Sequence, residues 1–424
     1  MIEFPQKGTG VYEILDEWIR FEKKSGFDKY EKNFFAVEGP KLVSSRDIPW
    51  GDKVRNLVAQ AYNRFMFFED WVSTGVTRMH DEIIPMIGDL LGNKRAAGNI
   101  TTGGSESNFC AMFTAKSRAL STGKSKPGHS PSIVLPKTAH YSFFKGCHLF
   151  DLTPIIVEPI PGTVYKVDPE DIREAVREDT IAIVATAGTY PFGTVEPIEE
   201  IGKIAEDKDL YFHVDACIGG FLLPFLERGG YDMQIPEWDF RVKGVSSISA
   251  DFHKNGMVPP PTSCIIYRDN ELLDFAKKIA YPKGCLIGSR SAGPIAAAWT
   301  MLKLVGIEGY VTIAKKSMEL TEIMLNGAKQ IGLKTVPENK VNFTTIYSDE
   351  YDLMPVIDKL RKNGWIFKTT TSFQPVGISV IIMPQNEGQI DAFLDDVRRN
   401  MKLAEPIESK EKMKVYGPEY PMIY

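Results

Sequence analysis

Between residues 133 and 267, short apolar runs alternate with stretches of helical spacing. The strand-like runs are residues 133–135, 154–157, 181–185, 211–214, 246–249 and 263–267, and helical patterns lie at 107–120, 169–177 and 197–205. This alternation predicts crossover units, and therefore a mostly parallel sheet with helices on both faces. In such a sheet, the functional residues are expected at the carboxyl ends of the strands.

The rest of the chain divides around this α/β region. We predict an N-terminal helical segment at 1–60, a large domain at 61–310, a small α+β domain at 311–402 and a surface tail at 403–424. Helical spacing at 11–22 and 52–91 supports the first part of this division. A long helical pattern from Pro294 to Lys329 leads into the small domain, because proline suits the first helical turn.

Charge and cysteine usage exclude several classes of protein. The 50 basic residues against 55 acidic ones leave a net charge of −5, which argues against a nucleic-acid partner. No apolar run approaches the length of a membrane span, and the start lacks the pattern of a secretory signal. Five scattered cysteines without a paired spacing indicate reduced thiols and a cytoplasmic protein, with no metal site.

Four polar segments stand where predicted strands end, at residues 101–107, 138–142, 211–216 and 249–254. The first joins two glycines to a helix start, which suits an anion because the first turn offers free N–H groups. The other three supply His140, Asp215 and Lys254, which can stack, pair with a charge and act as a nucleophile, respectively. Nucleotide-binding, zinc-protease and serine-hydrolase motifs are absent from the sequence.

Each segment alone also has a common structural explanation. The glycines fit a plain strand-to-helix turn capped by Ser105, and His140 fits a satisfied structural histidine. Asp215 fits a salt bridge or a helix cap, and Lys254 fits a solvated surface lysine. Their combination, each at a strand end, favours one shared site.

This combination resembles the pyridoxal-phosphate enzymes of fold type I. In detail it is similar to the group II decarboxylases, including the archaeal tyrosine/aspartate decarboxylases, and to the sphingosine-phosphate lyases. The likeness is carried by residues 103–107, 138–140, 186–189, 193–194, 213–221, 239–242, 247–254 and 288–291. It implies an α/β, transferase-like fold: a mostly parallel seven-stranded sheet with helices on both faces, plus a small C-terminal α+β domain.

The resemblance also implies pyridoxal 5'-phosphate as cofactor and assigns roles around its ring. Lys254 would be the Schiff-base lysine, and Asp215 the partner of the pyridine nitrogen. Ala216 would pack under the ring, His140 would stack on its other face, and Thr186 would lie near the ring oxygen.

Further implied contacts concern the phosphate and the neighbouring subunit. Gly104, Ser105 and His253 would bind the phosphate. Gly288 and Ser289 would reach the phosphate of a second subunit, which implies a homodimer with shared active sites. Tyr281 is the candidate proton donor from across that interface.

Two departures from the family bear on the reaction. Residues 67–74 stand where the family carries an Asn/His-Pro segment, and Pro260 replaces a second lysine of the lyase branch. Because a phosphorylated substrate needs fixed cations or strong donors, these losses favour an L-amino-acid decarboxylase. The alternatives are an aldehyde-lyase acting on a phosphorylated amino alcohol and a non-catalytic scaffold subunit.

The sequence does not decide between two classes of substrate, an aromatic and an acidic amino acid. An aromatic lining from Phe67, Phe68 and Trp71 would suit an aromatic amino acid, whereas Arg290 would suit an acidic one.

Overall fold

The computed structural model describes residues 51–66, 74–160, 165–232, 234–279, 284–288, 290–370 and 376–407. At its centre is a seven-stranded sheet in the spatial order β1-β7-β6-β5-β4-β2-β3, in which β7 runs antiparallel to both of its neighbours. The strands are β1 Ala97–Thr101, β2 Ser132–Pro136, β3 Thr153–Val157, β4 Thr180–Thr186, β5 Tyr211–Asp215, β6 Ser247–Ala250 and β7 Ser263–Tyr267.

Helices cover both faces of this sheet, because successive strand residues point to opposite sides and both sides are apolar. The helices are α1 Gly51–Arg64, α2 Thr74–Leu90, α3 Gly104–Thr122, α4 Tyr141–Leu149, α5 Pro169–Ala175, α6 Ile198–Asp207, α7 Leu223–Arg228 and α8 Asn270–Ala276. On β5, Tyr211 belongs to a core with α3, α4 and α8, whereas Phe212 and Val214 belong to a core with α2, α6 and α7.

A long helix, α9 Gly293–Gln330, leads from the sheet into the C-terminal unit and spans the predicted boundary at residue 310. It is kinked at Gly306, whose φ of 59° and ψ of −177° are not helical. Its first half packs against the α2 side of the sheet, and its second half joins a separate apolar core around Trp365 and Phe393.

The C-terminal unit contains a four-stranded antiparallel sheet in the order β11-β12-β9-β8 and a two-stranded pair of β10 with β13. Its elements are β8 Lys334–Thr335, β9 Phe343–Tyr347, β10 Tyr351–Asp352, α10 Met354–Lys362, β11 Lys368–Thr369, β12 Gly377–Ile381, α11 Ile390–Asn400 and β13 Glu405–Pro406. Single 3₁₀ turns lie at Gly219–Phe221, Lys277–Ile279, Pro384–Asn386 and Met401–Leu403.

The predicted fold class is confirmed, and all six strands predicted in the large domain are present. Several elements were not predicted, among them the strand β1, the helices α4, α7 and α8, and the two-residue strands β8, β10 and β13. The first strand, β1, has the sequence AGNIT, and its glycine and asparagine are residue types that are uncommon in strands. The short helix α4 carries Gly146, which lowers its helical signal. The predicted helix at 11–22 and residues 408–424 of the tail lie outside the described residues.

All five cysteines are buried free thiols. Among the described helices, none is both long and apolar enough to cross a membrane.

A tight loop after β4 holds the C-terminal unit against the central sheet. The Lys340 N–H donates to the Gly193 carbonyl at 2.8 Å, and the Thr345 hydroxyl donates to the Pro191 carbonyl at 2.8 Å. Gly193 has a φ of 74°, and a Cβ there would lie 2.0 Å from the Phe343 carbonyl oxygen. Only glycine therefore fits this position without moving the backbone.

We predict that Gly193→Ala destabilises the protein far more than Gly128→Ala, as measured by the midpoint of urea unfolding. Gly128 has a similar φ of 79°, but no heavy atom lies within 4 Å of the place that an added Cβ would take. Its substitution should cost only the left-handed backbone penalty of about 1–2 kcal/mol. Gly193→Ala adds a clash with the backbone, worth on the order of 2 kcal/mol more. Equal losses for the two variants would contradict this account of the loop.

Candidate active site

A cavity of about 370 Å³ opens at the carboxyl ends of the central strands. It brings together all four polar segments that the sequence singled out. Its lining residues are Thr102, Gly103, Gly104, Ser105, Glu106, Asn108, Thr138, His140, Thr186, Gly188, Tyr190, Asp215, Cys217, Ile218, Asp251, His253 and Lys254. The cavity is therefore built from the segments that follow β1, β2, β4, β5 and β6.

The glycine turn places the N-terminus of α3 at the cavity. A Cβ on Gly104 would lie 2.6 Å from Cys217 Sγ and 2.9 Å from Asp251 Oδ1, so a side chain cannot be accommodated there. Gly103 precedes the helix with a φ of 153° and makes no side-chain cap. The N–H groups at the start of this 19-residue helix can thus bind an anion at close range.

Glu106 stabilises this turn, and sequence reasoning missed it. One carboxylate oxygen accepts hydrogen bonds from the Thr102 N–H at 2.7 Å and its hydroxyl at 2.8 Å. The other accepts from the N–H groups of Leu286 and Ile287, both at 3.1 Å. Glu106 therefore fixes the segment that leads to Gly288 against the glycine turn. An acid in the first turn of a helix was the available sequence signal.

Asp215 is a buried carboxylate, 4% exposed, at the end of β5. Oδ1 accepts from the Cys217 N–H at 3.0 Å and from the Ser249 hydroxyl at 3.4 Å, and Oδ2 accepts from Asn108 Nδ2 at 3.0 Å. Burial alone would raise its pKa, but the hydrogen bond from the Cys217 N–H and the nearby Lys254 ammonium outweigh burial and lower the pKa. Asp215 is consequently ionised.

His140 caps helix α4 and borders the cavity. Its Nδ1 accepts from the Ser142 N–H at 3.3 Å and lies 2.9 Å from the Ser142 hydroxyl. Burial lowers the pKa of His140, so the ring is neutral at physiological pH. Because Nδ1 is an acceptor, the ring proton is on Nε2.

Lys254 forms an ion pair with Asp251 beside the glycine turn, with Nζ 2.8 Å from Oδ2. Burial opposes the charged ammonium, but the Asp251 carboxylate outweighs burial and raises the pKa of Lys254. His253 lies alongside, with Nε2 3.5 Å from the same oxygen and Nδ1 2.7 Å from the Thr262 carbonyl. Ala216 follows Asp215 and is fully buried.

Six predicted positions differ in their outcome from those above. Arg290 was considered for an acidic substrate, but its buried guanidinium donates to the Ile100 carbonyl of β1 and lies 3.2 Å from Cys285 Sγ. It therefore supports the sheet. Tyr281 and Ser289 lie outside the described residues, as do Phe67, Phe68 and Trp71.

Glu196 is a second buried acid that the sequence did not indicate. It is 0% exposed, and its carboxylate accepts from the Thr138 hydroxyl at 3.3 Å and the Val167 N–H at 3.0 Å. Burial raises its pKa to about 7, since these donors offset only part of the desolvation. Glu196 thereby supports the loop that carries His140.

A family model described as the pyridoxal-dependent decarboxylase conserved domain matches residues 54–346. A probable L-tyrosine/L-aspartate decarboxylase of Methanothermobacter thermautotrophicus is 35% identical over 330 residues, which are 76% of this chain and 87% of that protein. A sphingosine-1-phosphate lyase of Drosophila melanogaster is 33% identical over 409 residues, which are 93% of this chain and 72% of that protein.

Solved structures share this architecture. The sphingosine-1-phosphate lyase of Burkholderia pseudomallei has a TM-score of 0.84 and 29% identity, covering 95% of this chain and 93% of its own. A glutamate decarboxylase of Lactobacillus brevis has a TM-score of 0.76 and 20% identity, covering 95% of each chain, which shows the common fold.

We predict that Glu196→Gln stabilises the protein above about pH 7 and has little effect near pH 4. A raised acid pKa means that stability is full below the unfolded pKa and is lost as pH rises through the folded pKa. Raising this pKa from 4.5 to about 7 corresponds to on the order of 3 kcal/mol. Glutamine stays neutral, and its oxygen can accept from the Val167 N–H while its NH2 group donates to the Thr138 hydroxyl. Urea unfolding at several pH values measures the difference, and a difference that does not vary with pH would refute the assignment.

Proposed function

This chain belongs to the family of pyridoxal-dependent decarboxylases, and we propose that it removes the carboxylate of an L-amino acid, releasing CO2 and an amine. The observation that carries the proposal is the joint placement of Lys254, Asp215 and the glycine turn around one cavity. This set is what a carbon–carbon lyase of this family needs. The intact set also argues against a scaffold subunit.

The described residues fit pyridoxal phosphate. When bound, the cofactor supplies an aldehyde for an amine and a ring that withdraws electrons from the bond to be broken. Two buried oxygen atoms at the cavity, Thr186 Oγ1 and Asp251 Oδ1, have no hydrogen-bond partner among the described residues. Buried polar atoms are normally paired, so these two support a polar ligand at this place.

The chain's own residues divide the work of holding that cofactor. Gly104 and Ser105 begin the helix whose N–H groups would bind the phosphate, with His253 as a further contact. The ionised Asp215 carboxylate would hold a proton on the ring nitrogen. His140, which lines the cavity, would stack on one face of the ring, and the buried Ala216 would pack under the other. Lys254 supplies the amine, and Asp251 Oδ2 is the acceptor nearest to its ammonium.

The charges around the cavity support decarboxylation over release of an aldehyde. Either cleavage is open to the cofactor, so the protein decides by orienting the substrate. A phosphorylated amino alcohol would bring a second phosphate, but Lys254 is the one lysine or arginine among the described lining residues. Pro260 is exposed and offers no cation. The aldehyde-lyase remains the second candidate, favoured by the likeness to two sphingosine-1-phosphate lyases.

The proposed assembly is a homodimer with shared active sites. Gly288 follows Leu286 and Ile287, whose N–H groups Glu106 holds beside the glycine turn. Ile287 is 45% exposed, so this segment reaches the surface of the described chain beside the glycine turn. Ser289 and Tyr281 are proposed to act across this interface, and the five free thiols support a cytoplasmic location.

We predict that borohydride fixes pyridoxal phosphate irreversibly on Lys254, as read by peptide mapping of the reduced protein. Lys254→Ala should lose this attachment and nearly all activity, because the amine is the entry to every later step. Asp215→Asn should retain the cofactor but react at least about a hundredfold more slowly. The neutral asparagine has no negative charge to stabilise a protonated ring nitrogen. Reduced cofactor found on a different lysine would overturn the assignment.

Product analysis decides between the two cleavages. Purified protein with pyridoxal phosphate is assayed against a panel of L-amino acids for CO2 and amine, and against a phosphorylated long-chain base for aldehyde and phosphoethanolamine. We expect CO2 and amine from at least one amino acid and no aldehyde. Aldehyde from the phosphorylated base, with no CO2 from any amino acid, would show that the decarboxylase proposal is wrong.

A further inference from the structure

We propose that Asn108 is a positioning residue that keeps the Asp215 carboxylate ionised and oriented, as the last link of a buried hydrogen-bond chain that begins at Tyr211. The inference rests on the proposed function, in which Asp215 faces the ring nitrogen of pyridoxal phosphate. It concerns residues that do not touch the reacting atoms and that the family resemblance did not single out.

The hydrogen-bond chain runs along one face of β5, where alternate residues point the same way. The Tyr211 hydroxyl donates to Ser247 Oγ at 2.7 Å, and Ser247 Oγ lies 2.8 Å from His213 Nδ1. His213 Nε2 lies 3.2 Å from Asn108 Oδ1, and Asn108 Nδ2 lies 3.0 Å from Asp215 Oδ2. All five residues are at most 4% exposed, so water does not replace a lost link.

The direction of every link follows from the charge on Asp215. An ionised carboxylate only accepts, so the Asn108 amide must turn its NH2 group towards Asp215 and its oxygen towards His213. Nε2 of His213 must therefore carry a proton. Burial lowers the pKa of His213 to about 4, so the ring is neutral and its Nδ1 accepts the Ser247 proton. Ser247 has one proton to give, so Tyr211 must donate to it.

Asn108 also reaches the other side of the cavity. Its second N–H donates to Ser142 Oγ at 3.0 Å, and the Ser142 hydroxyl lies 2.9 Å from His140 Nδ1. Every hydrogen-bonding group of the Asn108 side chain is thus used, and one amide joins the supports of Asp215 and His140. Such a fully satisfied buried network has a single low-energy arrangement.

The expected consequence is a lower proton affinity of Asp215. Hydrogen bonds to the ionised form of an acid lower its pKa, and bonds to a charged partner are the stronger kind. Asn108 is the described donor to Oδ2, whereas Cys217 and Ser249 donate to Oδ1. Without Asn108, a proton shared between Asp215 and the cofactor's ring nitrogen would move towards the carboxylate.

The test is the protonation state of the ring nitrogen, measured by NMR on protein loaded with pyridoxal phosphate enriched in ¹⁵N at that atom. The unsubstituted protein should show a protonated nitrogen. Asn108→Leu keeps a similar volume without hydrogen bonds and should move the proton equilibrium towards the unprotonated nitrogen by about tenfold. Asp215→Asn should give the unprotonated signal.

Thr114→Val is the matched control on the same helix. Thr114 is 0% exposed, and its hydroxyl donates to the Cys110 carbonyl at 2.6 Å and lies 3.2 Å from the Tyr267 hydroxyl, so its described hydrogen bonds are to residues outside the hydrogen-bond chain. It should leave the ring-nitrogen signal unchanged. The same proton equilibrium at the ring nitrogen in the unsubstituted protein and in Asn108→Leu would overturn the inference. An unprotonated nitrogen in the unsubstituted protein would instead refute the proposed role of Asp215.

A second measurement needs no change at Asn108 and therefore holds even if Asn108→Leu does not fold. The protein has six histidines, so ¹⁵N labelling of histidine gives few signals, and the spectrum of His213→Gln identifies that of His213. We expect His213 to be protonated on Nε2 and unprotonated on Nδ1. A proton on Nδ1, or on both nitrogens, would overturn the direction of the chain.

Discussion

The site depends on one constraint, which is that a carboxylate is buried at the carboxyl end of the central strand β5. An unpaired buried charge is strongly unfavourable, so donors must converge on Asp215 from several elements. They come from α3 through Asn108, from β6 through Ser249, and from the turn after β5 through Cys217. Satisfying this charge therefore fixes how α3, β5 and β6 meet.

That convergence also explains the glycine turn. Because α3 must approach the ends of β5 and β6 closely enough for Asn108 to reach Asp215, its first residue lies against Cys217 and Asp251. A Cβ on Gly104 would be 2.6 Å from one and 2.9 Å from the other. The same close approach brings the helix N-terminus beside Lys254, so the anion site and the amine are neighbours as a result of packing.

The sequence predicted those parts of the fold and site that are local in the chain. Alternating runs predicted six of the seven strands of the central sheet, and polar residues at strand ends indicated His140, Asp215 and Lys254. It did not indicate Glu106 or Asn108, because polar residues at a helix start resemble a solvated first turn until the sheet beneath them is known. Glu196 was missed for a similar reason: its burial comes from the loops that carry Thr138 and Val167. The sequence could not predict which buried polar side chains are hydrogen-bonded by residues that are distant in the chain.

The balance of charge at the cavity then bears on what the protein can bind. Asp215, Asp251 and Glu106 are acids, and Lys254 is already paired with Asp251. A phosphate bound there would therefore be held by neutral N–H groups and the helix dipole, and not by surplus cations. Among the described residues that line the cavity, one helix begins, at Gly104, and the cofactor's phosphate would occupy its N-terminus. A substrate with a single carboxylate needs fewer cations and N–H donors than a substrate that carries a second phosphate. This difference favours an amino acid as the substrate.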